Sequence, residues 1–200
     1  FIILFFVCSI AIDMKKIVLL ASGAGSNVEN IIKYFVSKPT VQVATVFCNN
    51  PTAKVIDRAI ENHVPVVVFT KEDLKNDVVL DKVKALEPDL IVLAGFLLQL
   101  PASLIEAFPR KIINIHPALL PKYGGKGMYG QFVHQAVLVN NDKETGITIH
   151  FVNENYDEGE VIFQKSIAVD DCTTVEEIAT KVHVLEHEFF PKVIEQLLTS

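Results

Sequence analysis

The sequence IVLLASGAGSN, residues 17–27, contains the strand, turn and helix start from which the rest of the fold can be predicted. Its first five residues form an unbroken apolar run, which is typical of a strand buried on both faces of a parallel sheet. The next six form a turn with two glycines, and apolar side chains then recur at helical spacing over residues 27–36. A strand, a tight turn and a helix in this order predict the beginning of a βαβ unit.

The same alternation of short apolar runs and longer amphipathic segments continues to about residue 115. It predicts an α/β fold, namely a mostly parallel twisted sheet with helices on both faces. Further strands are predicted at Val41–Phe47, Pro65–Phe69, Leu90–Ala94 and Lys111–Ile115, and helices at Ala53–Asn62, Lys71–Leu86 and Pro101–Phe108.

The pattern changes in the last third of the chain. Two β-rich runs, Thr145–Val152 and Glu160–Val169, are separated by a segment too short for a crossover helix. We therefore expect an antiparallel strand pair near the C-terminus. Residues 175–198 predict a long closing helix, and residues 14–200 are interpreted as a single domain.

Composition excludes several classes of protein. The chain has 200 residues, of which 50% are hydrophobic and 21% charged, and its formal net charge is -6. These values fit one globular domain and exclude a disordered, collagen-like or disulfide-framework protein. The acidic balance argues against a nucleic-acid groove, which needs clustered Lys and Arg. Three widely spaced cysteines, Cys8, Cys48 and Cys172, fit reduced thiols in a cytoplasmic enzyme.

Residues 1–13, FIILFFVCSIAID, contain 11 apolar residues and precede a Met-Lys-Lys sequence that starts at residue 14. The run is shorter than the roughly 20 apolar residues that a membrane-spanning helix needs. A strand pattern follows it in place of a small-residue cleavage site. We interpret residues 1–13 as an apolar appendage that is not part of the domain; a membrane or export segment is the alternative.

The turn at residues 22–27 is a candidate anion site, because backbone N–H groups at the start of a helix attract negative charge. Val28 stands where a dinucleotide-binding fingerprint has its third glycine, and the Gly-Lys-Ser/Thr sequence of a P-loop is missing. The turn therefore predicts a site for one phosphate group, with Ser26 and Asn27 as extra donors. A tight turn capped by Ser26, without a ligand, is the alternative.

The sequence Asn114-Ile115-His116-Pro117 follows residues 111–113 of a predicted strand, at the carboxyl end where parallel sheets bind ligands. Asn114 and His116 project on the same side of a strand. An amide and an imidazole side by side can stabilise a carbonyl oxygen that becomes negatively charged. The Pro- and Gly-rich loop at residues 117–130 is expected to form a wall of the same site.

Two other groups of polar residues are candidates for a functional role. The loop at residues 153–159 contains three carboxylates, at least one of which could contact His116; a solvated acidic turn is the alternative. His183 and His187 have the i, i+4 spacing of a zinc pair, but no third ligand is evident and we expect no metal.

Five segments of the chain form a recognisable set: SGAGSN at 22–27, VLAGF at 92–96, NIHPALLP at 114–121, TGITIHFV at 145–152 and DEG at 157–159. Together they resemble the phosphoribosylglycinamide formyltransferases, a family of folate-dependent formyltransferases, from about Met14 to the C-terminus. The resemblance implies a Rossmann-like formyltransferase fold. It also implies transfer of a formyl group from 10-formyltetrahydrofolate to the amine of 5-phosphoribosylglycinamide, in de novo purine biosynthesis. Small-molecule substrates, no nucleic-acid or membrane partner, a cytoplasmic location and a monomer or homodimer are implied as well.

The resemblance further implies roles for individual residues. Gly25, Ser26 and Asn27 would bind the 5′-phosphate of the ribonucleotide, and Glu186 its ribose hydroxyls. Asn114 and His116 would flank the formyl carbon, and Asp157 would raise the pKa of His116. A cis peptide bond is implied before Pro121. The residues expected to bind the folate are Leu97, Leu98, Gln99, Leu100, Asn153 and Lys71. Leu98 stands where many members have an arginine, and Lys71 is the candidate for a second arginine of the family.

The implied mechanism is a direct attack of the glycinamide amine on the formyl carbon. Asn114 and protonated His116 would stabilise the tetrahedral intermediate, and Asp157 would move protons. A 10-formyltetrahydrofolate hydrolase or another folate-dependent formyltransferase is the nearest alternative. A non-catalytic nucleotide-binding α/β module is the alternative from a different class.

Overall fold

The structure is a computed structural model that describes residues 14–199. The interpretation of residues 1–13 as an appendage outside the domain lies outside the described residues. Strands and helices alternate along the chain and then give way to two consecutive strands. Their order is β1 (Lys15–Ala21), α1 (Ser26–Phe35), β2 (Val41–Cys48), α2 (Val55–Glu61), β3 (Val66–Val68), α3 (Lys71–Lys75), α4 (Val78–Leu86), β4 (Leu90–Leu93), α5 (Ala102–Ala107), β5 (Ile112–His116), α6 (Gln131–Val139), β6 (Glu144–Phe151), β7 (Val161–Ala168) and α7 (Val175–Thr199).

The strands form one sheet in the order β3-β2-β1-β4-β5-β6-β7. The first five strands are parallel, whereas β6 runs antiparallel to both β5 and β7. This confirms the predicted α/β fold, with its mostly parallel sheet and its antiparallel pair near the C-terminus. The strand order reverses between β1 and β4, and sheets of this kind bind ligands at the carboxyl ends of the strands at such a point.

The run Ile17–Ala21 is unbroken because β1 lies in the middle of the sheet and helices cover both of its faces. Ile17, Leu19 and Ala21 point into one core, which β1 shares with α1, α2, α6 and α7. Val18 and Leu20 point into a second core with α3, α4 and α5. Both sets are completely buried, so every position of the strand requires an apolar side chain.

The prediction of a single helix over Lys71–Leu86 was wrong, since the segment forms the two helices α3 and α4. Asp77, between them, has a φ of 60° in the left-handed region, where a continuous helix is impossible. Its carboxylate accepts a hydrogen bond of 2.6 Å from the hydroxyl of Ser103, which ties the break to α5. No helix within residues 14–199 is long and apolar enough to cross a membrane.

Candidate active site

A cavity of about 860 Å³ lies at the carboxyl ends of β1, β4 and β5, where the strand order reverses. Its volume is in the range of small-molecule sites. All but one of the predicted site residues line it: Gly25, Ser26, Asn27, Leu97, Leu98, Gln99, Leu100, Asn114, His116, Asn153, Asp157 and Glu186.

The turn between β1 and α1 directs the N-terminus of α1 into this cavity. Gly25, which precedes the helix, has a φ of 76°, and a Cβ atom there would lie 2.5 Å from the side chain of Val55. Glycine is therefore required both by the backbone conformation and by the close approach of α2. The first intrahelical bond runs from the N–H of Glu29 to the carbonyl of Gly25, at 2.9 Å. The N–H groups that precede Glu29 in the helix have no partner within it, which is the arrangement of an anion site.

Asn27 and Glu186 form a buried polar pair beside this turn. Nδ2 of Asn27 donates a hydrogen bond of 3.0 Å to Oε2 of Glu186, which lies on α7 and is only 7% exposed. The same oxygen lies 2.8 Å from Nδ1 of His183. Among the described residues, the buried Oδ1 of Asn27 has no hydrogen-bond partner. A ligand that donates a hydrogen bond would fit this position.

Asn114 and His116 both lie in β5 and face the cavity. His116 is 3% exposed, and its Nε2 lies 2.7 Å from the carbonyl oxygen of Tyr123. Because a carbonyl oxygen can only accept, Nε2 carries a proton, and Nδ1 is the ring nitrogen that faces the site. Nδ2 of Asn114 lies 3.2 Å from Nε2 of His150, its direct partner on β6.

Asp157 reaches the same place from the loop between β6 and β7. Its Oδ2 lies 3.5 Å from Nδ1 of His116 and accepts a hydrogen bond of 2.9 Å from the backbone N–H of Gly125. Its Oδ1 lies 3.5 Å from Nδ2 of Asn114 and 3.6 Å from Nε2 of His150. The side chains of Asn114, His116 and Asp157 therefore form one cluster.

Burial competes with nearby charges and hydrogen bonds in setting the pKa values of this cluster. Desolvation lowers the pKa of His116 below its usual value, although the charge of Asp157 and the carbonyl of Tyr123 act in the opposite direction. Asp157 thus raises the pKa of His116, as the resemblance implies, but burial outweighs this contribution and the net shift is downward. Burial also acts to raise the pKa of Asp157, but the rings of His150 and His116 and the N–H of Gly125 outweigh it and hold that pKa below its usual range. Asp157 is thus a carboxylate. His116 needs negative charge in addition to that of Asp157 in order to take up a proton.

The segment after β4 forms an apolar wall of the cavity beside the loop at residues 153–157. The backbone N–H of Leu97 donates to the hydroxyl of Ser22 at 2.9 Å, and Nε2 of Gln99 donates to the carbonyl of Glu154 at 2.9 Å. Leu100 is buried, whereas Leu97 is 47% exposed at the mouth. These contacts fix the segment beside the loop, as a wall for a flat ring would require. The cis peptide bond implied before Pro121 is confirmed.

Lys71 is the predicted site residue that does not line the cavity. It is the first residue of α3 and its side chain is exposed, because the capping box of Thr70 and Asp73 starts the helix on the protein surface. A contact of Lys71 with the folate would therefore have to form outside the cavity.

Two contacts of this cluster escaped sequence reasoning. From its position in a predicted strand, His150 is expected to be a structural or wall residue, yet its Nε2 lies beside Asn114 and Asp157. The only sequence signal for this contact of His150 was the predicted strand at Thr145–Val152. Predicting the contact from that strand also requires knowing that β6 lies next to β5 and in which register the two strands pair. The carbonyl of Tyr123 carries no side-chain signal at all.

In the residues that the structure describes, no group of three His, Cys, Asp or Glu side chains could hold a metal ion. His183 contacts Glu186, and its ring centroid lies 5.4 Å from that of His187. The i, i+4 pair on α7 is thus accounted for by an ion pair and a ring contact.

A doubly wound sheet with an amide, an imidazole and a carboxylate at its switch point defines a group-transfer enzyme acting on a carbonyl carbon. The chain belongs to the formyl transferase family, whose model, described as "Formyl transferase", matches residues 15–194.

Named relatives are similar over nearly their whole length. The phosphoribosylglycinamide formyltransferase of Bacillus subtilis (strain 168) is 38% identical over 191 residues, which cover 92% of this chain and 95% of the relative. The solved structure of glycinamide ribonucleotide transformylase 1 from Geobacillus kaustophilus has a TM-score of 0.83 and 34% identity, and covers 92% of this chain and 99% of its own. The phosphoribosylglycinamide formyltransferase from Bacillus halodurans has a TM-score of 0.83 and 30% identity, over 93% of this chain and 96% of its own.

Proposed function

We propose that this chain transfers a formyl group from 10-formyltetrahydrofolate to the amine of 5-phosphoribosylglycinamide, a step of de novo purine biosynthesis. The family match and the named relatives support the reaction. The observation that carries the proposal is the cluster of Asn114, His116 and Asp157, in which Nδ1 of His116 lies 3.5 Å from the carboxylate. The start of α1, where the phosphate is proposed to bind, lines the same cavity.

The ribonucleotide is proposed to bind at the end of the cavity formed by α1 and α7. Backbone N–H groups at Gly25, Ser26 and Asn27 hold the 5′-phosphate, because the helix dipole and the unpaired donors favour an anion there. Asn27 and Glu186 hold the ribose hydroxyls. One ribose hydroxyl can donate to the unpartnered Oδ1 of Asn27, and another can donate to Oε1 of Glu186. Oε1 is available because the hydrogen bonds that Glu186 already accepts are made to Oε2.

10-Formyltetrahydrofolate supplies the formyl group when it is bound. The residues present fit such a co-substrate, because the wall formed by residues 97–100 is mostly apolar and the adjacent loop offers the polar backbone of residues 153–157. We propose that Leu97, Leu98, Gln99 and Leu100 bind the pterin together with Asn153. Lys71, which lies outside the cavity, is proposed to contact only a part of the folate that extends into solvent.

The cluster is proposed to stabilise charge and move one proton during direct attack by the substrate amine. Nδ2 of Asn114 donates to the formyl oxygen as it becomes negative in the tetrahedral intermediate, and one such donor is typically worth about 3 kcal/mol. The developing charge, with that of Asp157, favours uptake of a second proton, from water, on Nδ1 of His116, which then becomes the second donor and returns this proton to water when the intermediate collapses. The carboxylate of Asp157 accepts the proton that the amine loses and returns it to the leaving nitrogen. The substrate amine is the nucleophile, so no Ser or Cys is required.

The test is formyl transfer by the purified chain, followed by the release of tetrahydrofolate with and without 5-phosphoribosylglycinamide. The proposal predicts release only when the ribonucleotide is present, together with formylated ribonucleotide in equal amount. Release without the ribonucleotide would identify a hydrolase. Binding of either compound without turnover would identify a non-catalytic module.

The location and the working unit belong to the same proposal. Cys48 and Cys172 are free thiols, as expected in the reducing cytoplasm. We propose a cytoplasmic enzyme that works as a monomer or homodimer, because all the site residues named above come from one chain. Sedimentation at assay concentration, with activity measured across the same range, tests the working unit.

A further inference from the structure

A second polar cluster holds the loop at residues 117–130 from outside the cavity. Its members are Lys122 and Tyr123 of the loop and Asn140 and Asp142 of the turn between α6 and β6, and none of them lines the cavity. The hydroxyl of Tyr123 donates to Oδ2 of Asp142 at 2.7 Å and accepts a hydrogen bond of 2.8 Å from Nδ2 of Asn140. Nζ of Lys122 lies 2.7 Å from each carboxylate oxygen of Asp142. The phenol of Tyr123 is therefore held by a donor and an acceptor at once.

The main chain of Tyr123 connects this cluster to the active site. Its carbonyl oxygen accepts the hydrogen bond of 2.7 Å from Nε2 of His116. This bond fixes the ring proton on Nε2 and directs Nδ1 toward Asp157. Whatever holds the carbonyl of Tyr123 in place also sets the tautomer and orientation of His116.

The backbone of Tyr123 needs such external support. Its φ is 58°, in the left-handed region that a residue with a Cβ adopts only at a cost in free energy. Gly124 and Gly125 follow it and place little conformational constraint on the chain. A backbone of this kind persists only where surrounding contacts determine it, and the Tyr123 side chain contacts Asp142, Asn140, the ammonium group of Lys122 and the core.

We propose that Asp142 is a positioning residue for His116 and that it acts through Tyr123. Asp142 holds the phenol, the phenol holds the left-handed backbone, and the carbonyl of Tyr123 keeps His116 in the Nε2–H tautomer. Asp142 itself is anchored, since its backbone N–H donates to the carbonyl of Val137 at 3.2 Å. The catalytic consequence rests on the proposed function, whereas the effect on the tautomer does not.

The chain contains a matched control on another face. The hydroxyl of Tyr34 donates to Oε2 of Glu195 at 2.6 Å, and Nζ of Lys38 donates to Oε1 of the same carboxylate at 2.6 Å. Nζ of Lys38 lies 5.0 Å from the ring centroid of Tyr34, as Nζ of Lys122 lies 5.1 Å from that of Tyr123. Both clusters thus combine a tyrosine, a lysine and a carboxylate, but only Tyr123 also contacts an active-site ring.

The test compares Tyr123→Phe, Asp142→Ala and the double variant with Tyr34→Phe. The first readout is the side-chain ¹⁵N spectrum of His116, assigned with His116→Gln, which distinguishes the Nε2–H from the Nδ1–H tautomer. Tyr123→Phe and Asp142→Ala should each give a mixture of tautomers and lower kcat about tenfold, because a catalytic group is misoriented while binding is intact. KM for each substrate should stay within about twofold of the wild-type value. The double variant should match Tyr123→Phe, because both changes interrupt the same series of contacts. Tyr34→Phe should leave the spectrum and kcat unchanged.

Two further variants separate positioning from folding. Asp142→Asn keeps an oxygen that accepts from the phenol, so it should recover most of the kcat lost in Asp142→Ala. If Asp142→Ala does not fold, Tyr123→Phe decides the test, since it removes one oxygen atom and keeps the packed ring. Retention of the pure Nε2–H tautomer in Tyr123→Phe overturns the proposal, and so does an equal effect of Tyr34→Phe. A wild-type chain without formyl transfer would contradict the proposed function, while the spectrum would still decide this inference.

Discussion

Nδ1 of His116 lies 3.5 Å from Oδ2 of Asp157, although one residue ends a central strand and the other belongs to a distant loop. The loop can reach the strand because Asp157 has a φ of 56° and because the chain returns tightly at Gly159. A Cβ atom at Gly159 would lie 1.6 Å from the carbonyl oxygen of Phe151, so only glycine fits. The contact joins a buried ring whose pKa is lowered to a carboxylate that stays ionised. The contact therefore places a base, the carboxylate of Asp157, beside a potential acid, the ring of His116.

Asp157→Asn should lower kcat by about 10²- to 10⁴-fold, the range typical of a lost acid or base. Asparagine keeps the shape of the side chain and an oxygen for the N–H of Gly125, so the fold should survive. Steady-state formyl transfer and a thermal unfolding scan check both points. Glu158→Gln, at an exposed carboxylate of the same loop that does not line the cavity, is the control and should keep wild-type kcat. Turnover near the wild-type rate in Asp157→Asn would remove Asp157 from the mechanism.

His116→Ala should lower kcat by about 10²- to 10³-fold, because a donor to the developing oxyanion is lost. Both KM values should change little, since the proposed phosphate and ribose contacts lie elsewhere in the cavity. Measuring kcat, and KM for each substrate, shows how the effect divides between turnover and binding. His63→Ala, at an exposed histidine, provides the matched comparison. A rise in KM at constant kcat would instead assign His116 to ground-state binding.

The sequence predicted those parts of the molecule that depend on local periodicity. The apolar run at Ile17–Ala21 identified a central strand, and the i, i+2 spacing of Asn114 and His116 placed both on one face of β5. The pairing of Asn114 with His150 depends on the register of β5 against β6, which no local pattern encodes. The pKa of His116 depends on burial, because the ring, with 3% exposure, loses enough hydration to outweigh the neighbouring carboxylate.

Ser26→Ala combined with Asn27→Ala should raise KM for the ribonucleotide more than tenfold and leave KM for the folate within about twofold. The double change removes a hydroxyl beside the phosphate site and the amide that contacts Glu186 at 3.0 Å. Loss of charge-assisted or multiple hydrogen bonds is worth about 1.5–3 kcal/mol, which corresponds to this increase. Titration of each substrate at saturating levels of the other measures the two constants. Equal increases in both would show that the phosphate lies elsewhere.

Gly25→Ala should destabilise the protein and weaken ribonucleotide binding together. A left-handed φ costs a residue with a Cβ about 1–2 kcal/mol, and the new methyl group would overlap the side chain of Val55. Gly23→Ala is the matched control, because a Cβ at Gly23 meets no atom within 4 Å. Urea unfolding measures the free energy of both variants, and KM for the ribonucleotide measures the site. A Gly23→Ala variant as damaged as Gly25→Ala would contradict the explanation from backbone conformation and packing.

The stability of the fold should fall as the pH is lowered from 7.5 to 5.5, and His116 should account for part of the loss. Its pKa is lower in the folded chain than the usual value of about 6.5, so the unfolded chain takes up the proton first. The contribution of His116 to the free energy of unfolding is fully present above its pKa in the unfolded chain. It is lost as the pH falls from there toward its pKa in the folded chain. The slope from one such group is at most about 1.4 kcal/mol per pH unit. His134 and His187 act in the same direction because burial lowers their pKa values too, whereas the raised pKa of His183 opposes them.

Urea unfolding at pH 7.5 and pH 5.5 measures the difference in the free energy of unfolding between the two conditions. His116→Gln cannot be protonated, so its loss of stability over this interval should be smaller than that of the wild type. The lowered pKa of Asp157 acts only near and below the usual carboxylate range, so its contribution is the same at both pH values. His63→Gln, at an exposed position, should retain the wild-type loss. An identical loss in His116→Gln and the wild type would mean that desolvation does not set the pKa of His116.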